Sequence, residues 1–139
     1  MILVDTPVWS LALRRKAANL NAKERRSTQL LSTIIDEGRV ILLGSVRQEL
    51  LSGLREESEF LRLRDYLRDF PDTPVLSEDY EEAAHASNRC RARGIAASPV
   101  DMVICAVALR HRWEIFTADL DFAHYQRVLQ IHLFPARSL

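Results

Sequence analysis

Four carboxylates lie where an α/β protein would bring polar groups together. Asp5 directly follows an apolar run at the start of the chain, and Asp119 follows a second apolar run near its end. Glu49 lies on a predicted helix that leaves the second strand, and Asp101 lies in the first turn of the helix before the fourth strand. Because ligands bind at the carboxyl ends of parallel strands, these positions predict one shared acidic site.

Carboxylates that converge repel one another unless they share protons or bind a cation. At 4 Å and an effective dielectric constant near 20, one like-charge pair costs about 4 kcal/mol. An oxygen-only ligand set, with water and a substrate phosphate completing the shell, suits Mg²⁺ or Mn²⁺. The chemistry that such a site supports is metal-assisted phosphodiester hydrolysis, in which the ion activates water and stabilises the developing charge.

Each acid also has a structural explanation of its own. Asp101 completes an S-x-x-D capping pattern with Ser98, and Asp119 could cap the helix that follows it. Asp121 could serve the first turn of that same helix. Glu49 is harder to explain in this way, because it lies on or beside the apolar stripe of its helix.

The elements that must position these acids alternate between strand and helix. Five short apolar runs are predicted strands: Ile2 to Val4, Val40 to Leu43, Pro74 to Leu76, Glu114 to Thr117 and Ile131 to Phe134. Helices are predicted over 6–15, 22–37, 45–53, 58–69, 77–93 and 98–112, with a last short helix from about Asp119. This alternation predicts a mostly parallel sheet between helices, in one α/β domain that spans residues 1–139.

Composition bounds the function without deciding it. The 139 residues carry no net charge, so no global basic field indicates a nucleic-acid partner. Seventeen of the 19 basic residues are Arg, which suits phosphate contacts but can also reflect genomic base composition. The four glycines form no phosphate-binding loop, so no nucleotide cofactor is expected.

Cysteine usage and hydropathy indicate the compartment. Cys90 and Cys105 lack metal-ligand spacing, and neither a disulfide nor a zinc site is favoured. The longest apolar run in a predicted helix is far shorter than the roughly 20 residues that cross a membrane. We therefore expect a cytoplasmic protein with no membrane partner.

Four segments carry a resemblance that spans nearly the whole chain. VDT-x-VW at the start, QELLSG near residue 50, SPVDMVICAVA near 100 and TADLDF near 120 resemble the four acidic motifs of PIN-domain ribonucleases. They are most similar to those of the VapC-type toxins of toxin–antitoxin pairs. The resemblance implies a three-layer α/β/α fold with a five-stranded sheet of order 3-2-1-4-5. It also implies a divalent-metal endoribonuclease that forms a homodimer and is neutralised by a cognate VapB-type antitoxin.

The resemblance places Asp5, Glu49, Asp101 and Asp119 at the four catalytic positions. Asp5, Asp101 and Asp119 are the implied metal ligands, directly or through water, with Mg²⁺ as the expected ion and Mn²⁺ as a possible one. Glu49 is implied to position or deprotonate the attacking water.

The neighbours of these acids match the family pattern less uniformly. Thr6 and Thr117 match small hydroxyl residues that support the acids by hydrogen bonds. Pro7 departs from the Ser or Asn that many members have, and Asp121 matches a position that is acidic in some members. Basic residues at the end of the first helix, Arg14 and Arg15, could contact the RNA backbone or could be a solvated turn.

Two alternative functions remain open at this level. The chain could be a PIN-fold binding module without catalysis, or an RNA-processing nuclease outside any toxin–antitoxin pair. A phosphatase of the haloacid-dehalogenase type is disfavoured, because it needs a second acid two residues after its nucleophile, whereas Asp5 is followed by Thr-Pro. A receiver domain is disfavoured because it needs a late Lys, and both lysines precede residue 24.

Overall fold

The computed structural model describes residues 1–14 and 16–135. Its elements in chain order are β1 (Ile2–Val4), α1 (Thr6–Arg14), a 3₁₀ turn (Ala17–Asn19), α2 (Ala22–Asp36), β2 (Val40–Ile41), α3 (Gly44–Ser52), α4 (Glu57–Leu67), α5 (Ser77–Ala92), α6 (Pro99–His111), β3 (Glu114–Phe116), α7 (Asp121–Tyr125) and β4 (His132–Phe134). This alternation confirms the predicted α/β class. No helix in these two ranges is both long enough and apolar enough to span a bilayer.

The sheet of the described residues has four strands in the order β2-β1-β3-β4, and β3 pairs with β4 in parallel. The prediction of five strands is therefore wrong, although the four observed strands keep the predicted order 2-1-4-5. The predicted strand at residues 74–76 is absent, and only an isolated bridge joins Leu42 to Asp72 just before it. Pro71 and Pro74 each lack the backbone N–H that a strand ladder requires, which explains the loss.

The chain divides into two compact units, Val4–Thr73 and a second unit formed by Met1–Leu3 with the described residues from Pro74 onward. The apolar core of the Val4–Thr73 unit includes Val8, Trp9, Leu31, Ile34, Val46, Leu50 and Leu67. The Trp9 ring is fully buried and lies edge-to-face on Phe70 at 5.2 Å between centroids. Trp9 is thus a core residue.

Arg47 joins α3 to the end of α4 within this unit. Its Nη1 and Nη2 donate to the carbonyls of Leu67 (2.9 Å) and Phe70 (2.6 Å), and its Nε donates to Asp72 Oδ1 at 3.0 Å. A planar guanidinium can serve three acceptors in this way, and it satisfies carbonyls that the helix end leaves open.

The second unit is built on α5 and α6. The buried residues of the two helices are Asp79, Ala83, Ala86 and Cys90 on α5, with Met102, Ile104, Cys105, Ala106, Val107 and Ala108 on α6. The predominance of small side chains on α5 allows the two helices to approach closely. Cys90 and Cys105 are both buried, each on one of these two helices.

Candidate metal centre

The start of α6 positions Asp101. Ser98 is the N-cap residue, and its Oγ accepts a hydrogen bond from the Asp101 N–H at 3.1 Å, while Pro99 occupies the first turn. The backbone of Asp101 therefore takes part in the predicted cap. Its carboxylate has a different partner, because Asp101 Oδ2 accepts a hydrogen bond from the Tyr125 hydroxyl at 2.8 Å.

The loop between β3 and α7 positions Asp119. The Asp119 N–H donates to Thr117 Oγ1 at 3.0 Å, and Asp119 Oδ1 accepts from the Asp121 N–H at 2.9 Å. The Thr117 hydroxyl thus holds the Asp119 backbone, and its predicted support of the Asp119 carboxylate stays a prediction. Leu120, not Asp119, is the cap residue of α7, but the Asp119 side chain still satisfies the first N–H of that helix.

One carboxylate oxygen from each of Asp101, Asp119 and Asp121 lies within 4.8 Å of the other two. Asp101 and Asp119 are half-buried, whereas Asp121 is exposed. Asp101 lies at the start of α6, Asp119 lies in the β3–α7 loop, and Asp121 is the first residue of α7. Three segments of the chain thus contribute one acid each to a single cluster. We name Asp101, Asp119 and Asp121 the acidic cluster.

The electrostatics of the acidic cluster favour a bound cation. Burial raises the pKa of the Asp101 carboxyl above its ordinary value, and the negative charges of Asp119 and Asp121 raise it further. Hydrogen bonds from Tyr125 and Ser98 oppose the shift without cancelling it. The ionised carboxylate is therefore destabilised by what surrounds it, and a hard divalent cation would offset that cost. An all-oxygen donor set is also the set that Mg²⁺ and Mn²⁺ prefer.

Asp5 and Glu49 belong to the Val4–Thr73 unit. Asp5 is only 6% exposed, and its Oδ1 accepts a hydrogen bond from the Thr6 N–H at 2.8 Å, at the start of α1. Pro7 occupies the first turn of that helix, as its sequence position predicts. Glu49 is exposed on α3. The structure brings Asp101 and Asp119 together with Asp121, and the convergence of all four predicted acids stays a prediction.

Arg14 lies at the end of α1, and Arg15 lies outside the described residues. The Arg14 guanidinium donates to the Leu50 carbonyl and lies beside Gly53, where a Cβ would come within 2.8 Å of Nη1. It therefore contacts the carboxyl end of α3. Contact of Arg14 or Arg15 with RNA stays a prediction.

Sequence reasoning did not identify Tyr125 as part of this centre. The available signal was its position four residues after Asp121, which places both on one face of a helix. The contact itself joins residues that are 24 positions apart, and no local pattern indicates it.

The fold and the acidic cluster together define an α/β protein with a carboxylate site beside the end of a parallel strand. The family model of the PIN domain matches residues 2–128, and the chain belongs to this family. It is 27% identical over 133 residues to the VapC ribonuclease Mb1587 of Mycobacterium bovis and to ribonuclease VapC11 of Mycobacterium tuberculosis. Each alignment covers 94% of this chain and 96% of the relative.

Solved structures show the same fold. FitAcB from Neisseria gonorrhoeae is 24% identical, with a TM-score of 0.76, and the match covers 96% of each chain. VapBC2 from Rickettsia felis, solved with a DNA fragment from its promoter, is 14% identical with a TM-score of 0.72. That match covers 96% of this chain and 97% of the other. At these identities the similarity establishes the architecture alone.

Proposed function

We propose that this protein is a divalent-metal-dependent endoribonuclease, which hydrolyses phosphodiester bonds in RNA as the toxin of a toxin–antitoxin pair. The observation that carries the proposal is the acidic cluster of Asp101, Asp119 and Asp121 in a chain of the PIN-domain family. The relatives from Mycobacterium bovis and Mycobacterium tuberculosis are named ribonucleases, which supports RNA as the substrate.

Asp5, Asp101 and Asp119 are the proposed ligands of Mg²⁺, with Mn²⁺ as the alternative ion. When bound, the ion supplies Lewis-acid stabilisation of the phosphate and lowers the pKa of a water ligand. Glu49 is proposed to orient that water or accept its proton. The roles of Asp5 and Glu49 are supported by the sequence motifs VDT-x-VW and QELLSG. The roles of Asp101 and Asp119 are supported both by their motifs and by the geometry of the acidic cluster.

The test is cleavage of a labelled, structured RNA by the purified protein in chelator and after Mg²⁺ or Mn²⁺ is added back. We expect cleavage only with the metal, and a loss of at least about a hundredfold in Asp101→Asn, because the substitution removes a charged ligand and keeps its shape. Asp36→Asn is the matched control, since Asp36 is an exposed acid at the end of α2.

Two outcomes would contradict this proposal. Undiminished cleavage in excess chelator would exclude the metal mechanism. RNA binding without cleavage under any metal condition would instead favour a PIN-fold binding module.

The proposed partners are a VapB-type antitoxin and a second copy of this chain. The proposed antitoxin is supported by similar structures, which include a toxin–antitoxin complex from Klebsiella pneumoniae with a TM-score of 0.67. A small neighbouring gene whose product co-purifies with this chain and stops cleavage would support the toxin role. Its absence would favour an RNA-processing nuclease. Light scattering at micromolar concentration tests the homodimer, and a monomer would contradict it.

A further inference from the structure

We propose that Tyr125 is a positioning residue of the metal centre, whose hydroxyl holds the Asp101 carboxylate in the orientation that binds the cation. The contact is the 2.8 Å hydrogen bond from the Tyr125 hydroxyl to Asp101 Oδ2. The inference rests on the proposed function, because it assigns a role at the proposed metal site.

The Tyr125 ring is immobilised by its surroundings. It is 1% exposed at the end of α7 and lies edge-to-face on Phe122, with 5.2 Å between centroids and 70° between ring planes. Phe122 is itself fully buried. A fixed ring leaves the hydroxyl oxygen in one place, so the hydrogen bond restrains Asp101 instead of following it.

The hydroxyl is a permanent donor at neutral pH. The ordinary pKa of a tyrosine phenol is about 10, so the hydroxyl is protonated at neutral pH. An ionised carboxylate has about four lone-pair positions, and one donor on Oδ2 leaves the others available to a cation. Phenylalanine would keep the ring packing but would let the Asp101 carboxylate rotate.

Tyr125 also links the two helices that carry residues of the acidic cluster, α6 and α7. It lies four residues after Asp121 on α7, while Asp101 lies on α6. One hydrogen bond therefore joins the helix of Asp101 to the helix of Asp121. In the metal-free protein this bond keeps the Asp101 carboxylate close to those of Asp119 and Asp121, although like charges repel. The site is thereby pre-organised to bind a cation.

The test compares Tyr125→Phe with Tyr80→Phe in the full chain. Tyr80 is the matched control because it is 58% exposed on α5. Calorimetric titration with Mn²⁺ should show that Tyr125→Phe weakens affinity by roughly 10-fold to 100-fold, the range found when a residue that orients a ligand is lost. Tyr80→Phe should bind as the wild type does. Cleavage by Tyr125→Phe should recover towards the wild-type rate at saturating Mn²⁺, which a general loss of structure would not allow.

A second measurement keeps the inference testable if Tyr125→Phe folds poorly. In a crystal structure of the wild type with Mn²⁺ bound, the Tyr125 hydroxyl should remain within hydrogen-bonding distance of Asp101. Separation of the two groups, or equal Mn²⁺ affinity of Tyr125→Phe and wild type, would overturn the inference. If the wild type binds no Mn²⁺, the proposed metal site itself is wrong, and the role of Tyr125 falls with it.

Discussion

At the scale of single residues, the acidic cluster opposes stability in the absence of a cation. Asp101, Asp119 and Asp121 present oxygens within 4.8 Å of one another, and their mutual repulsion contributes to the raised pKa of Asp101. Such an arrangement is unfavourable for the fold alone and favourable for binding a divalent ion. Replacing one acid by its amide should therefore separate the two effects.

Asp119→Asn is the most informative of these replacements. The amide oxygen can still accept the hydrogen bond from the Asp121 N–H, so the loop keeps its support while one negative charge is lost. In chelator we expect the variant to be more stable than the wild type by about 1 kcal/mol, because water and salt screen part of the repulsion between these partly exposed charges. This corresponds to an increase of roughly 3 °C in melting temperature.

Adding Mn²⁺ should reverse the order, because a ligand that binds only the folded state stabilises it more the tighter it binds at a given concentration. Calorimetric melting with chelator and with excess Mn²⁺ measures both effects, and Asp36→Asn again serves as the control. An Asp119→Asn variant that is less stable in chelator and gains as much from Mn²⁺ as the wild type would contradict the prediction.

At the scale of elements, one ion pair joins α5 to α6. Arg110, in the last turn of α6, donates from Nε to Asp79 Oδ1 at 2.7 Å and from Nη2 to Oδ2 at 2.9 Å. The same carboxylate accepts from the Leu76 N–H at 2.9 Å and so satisfies the start of α5. Asp79 is 1% exposed, and this full set of partners explains how an ionised group is tolerated there.

Asp79→Asn should lower the free energy of unfolding at pH 7 by about 2 kcal/mol, because charge-assisted hydrogen bonds are lost from a buried group. The hydrogen bond from Arg110 is the main cause that lowers the pKa of Asp79 below its ordinary value. Its stabilising effect is therefore complete above the pKa of an unfolded aspartate, about 3.9, and is lost as the pH falls through the lower folded pKa.

Urea unfolding at pH 7 and near pH 3 measures this difference. We expect the gap between wild type and Asp79→Asn to narrow at the acid end. Asp65→Asn, which removes an exposed partner of Arg64, should change stability little at either pH. A gap that is the same at both pH values would show that the charge of Asp79 is not what stabilises the pair.

At the scale of the whole molecule, local sequence signals predicted most helices and strands. They did not predict contacts between residues that are far apart in the sequence. Ser98-Pro99 and Gly94 mark helix ends that can be read directly, and the predicted and observed bounds of α5 and α6 agree within one residue. The strand predicted at residues 74–76 does not form, because Pro74 lacks the N–H that a strand ladder requires, and the apolar run alone does not show this. The hydrogen bond between Tyr125 and Asp101 was not predictable, because nothing near either residue specifies its partner.

Net charge also belongs to the whole molecule, and it bears on the proposed antitoxin. The chain carries 19 basic and 19 acidic residues, so a partner that reaches the acidic cluster must be attracted locally. A guanidinium presents a planar fork of donors that matches paired carboxylate oxygens, whereas an ammonium is a point charge. We therefore expect an antitoxin segment that inhibits cleavage to place an Arg at Asp101 and Asp119.

Replacing that Arg by Lys should weaken inhibition despite the unchanged charge, and replacing it by Ala should weaken it further. The measurement is the concentration of antitoxin peptide that halves RNA cleavage, repeated at increasing Mn²⁺ concentrations. Because the guanidinium and the ion would compete for the same oxygens, higher Mn²⁺ should raise that concentration for the wild-type peptide. The Ala peptide, which lacks the competing cation, should show a much smaller dependence on Mn²⁺. Inhibition that survives the loss of every Arg in the segment would show that the antitoxin acts elsewhere on the chain.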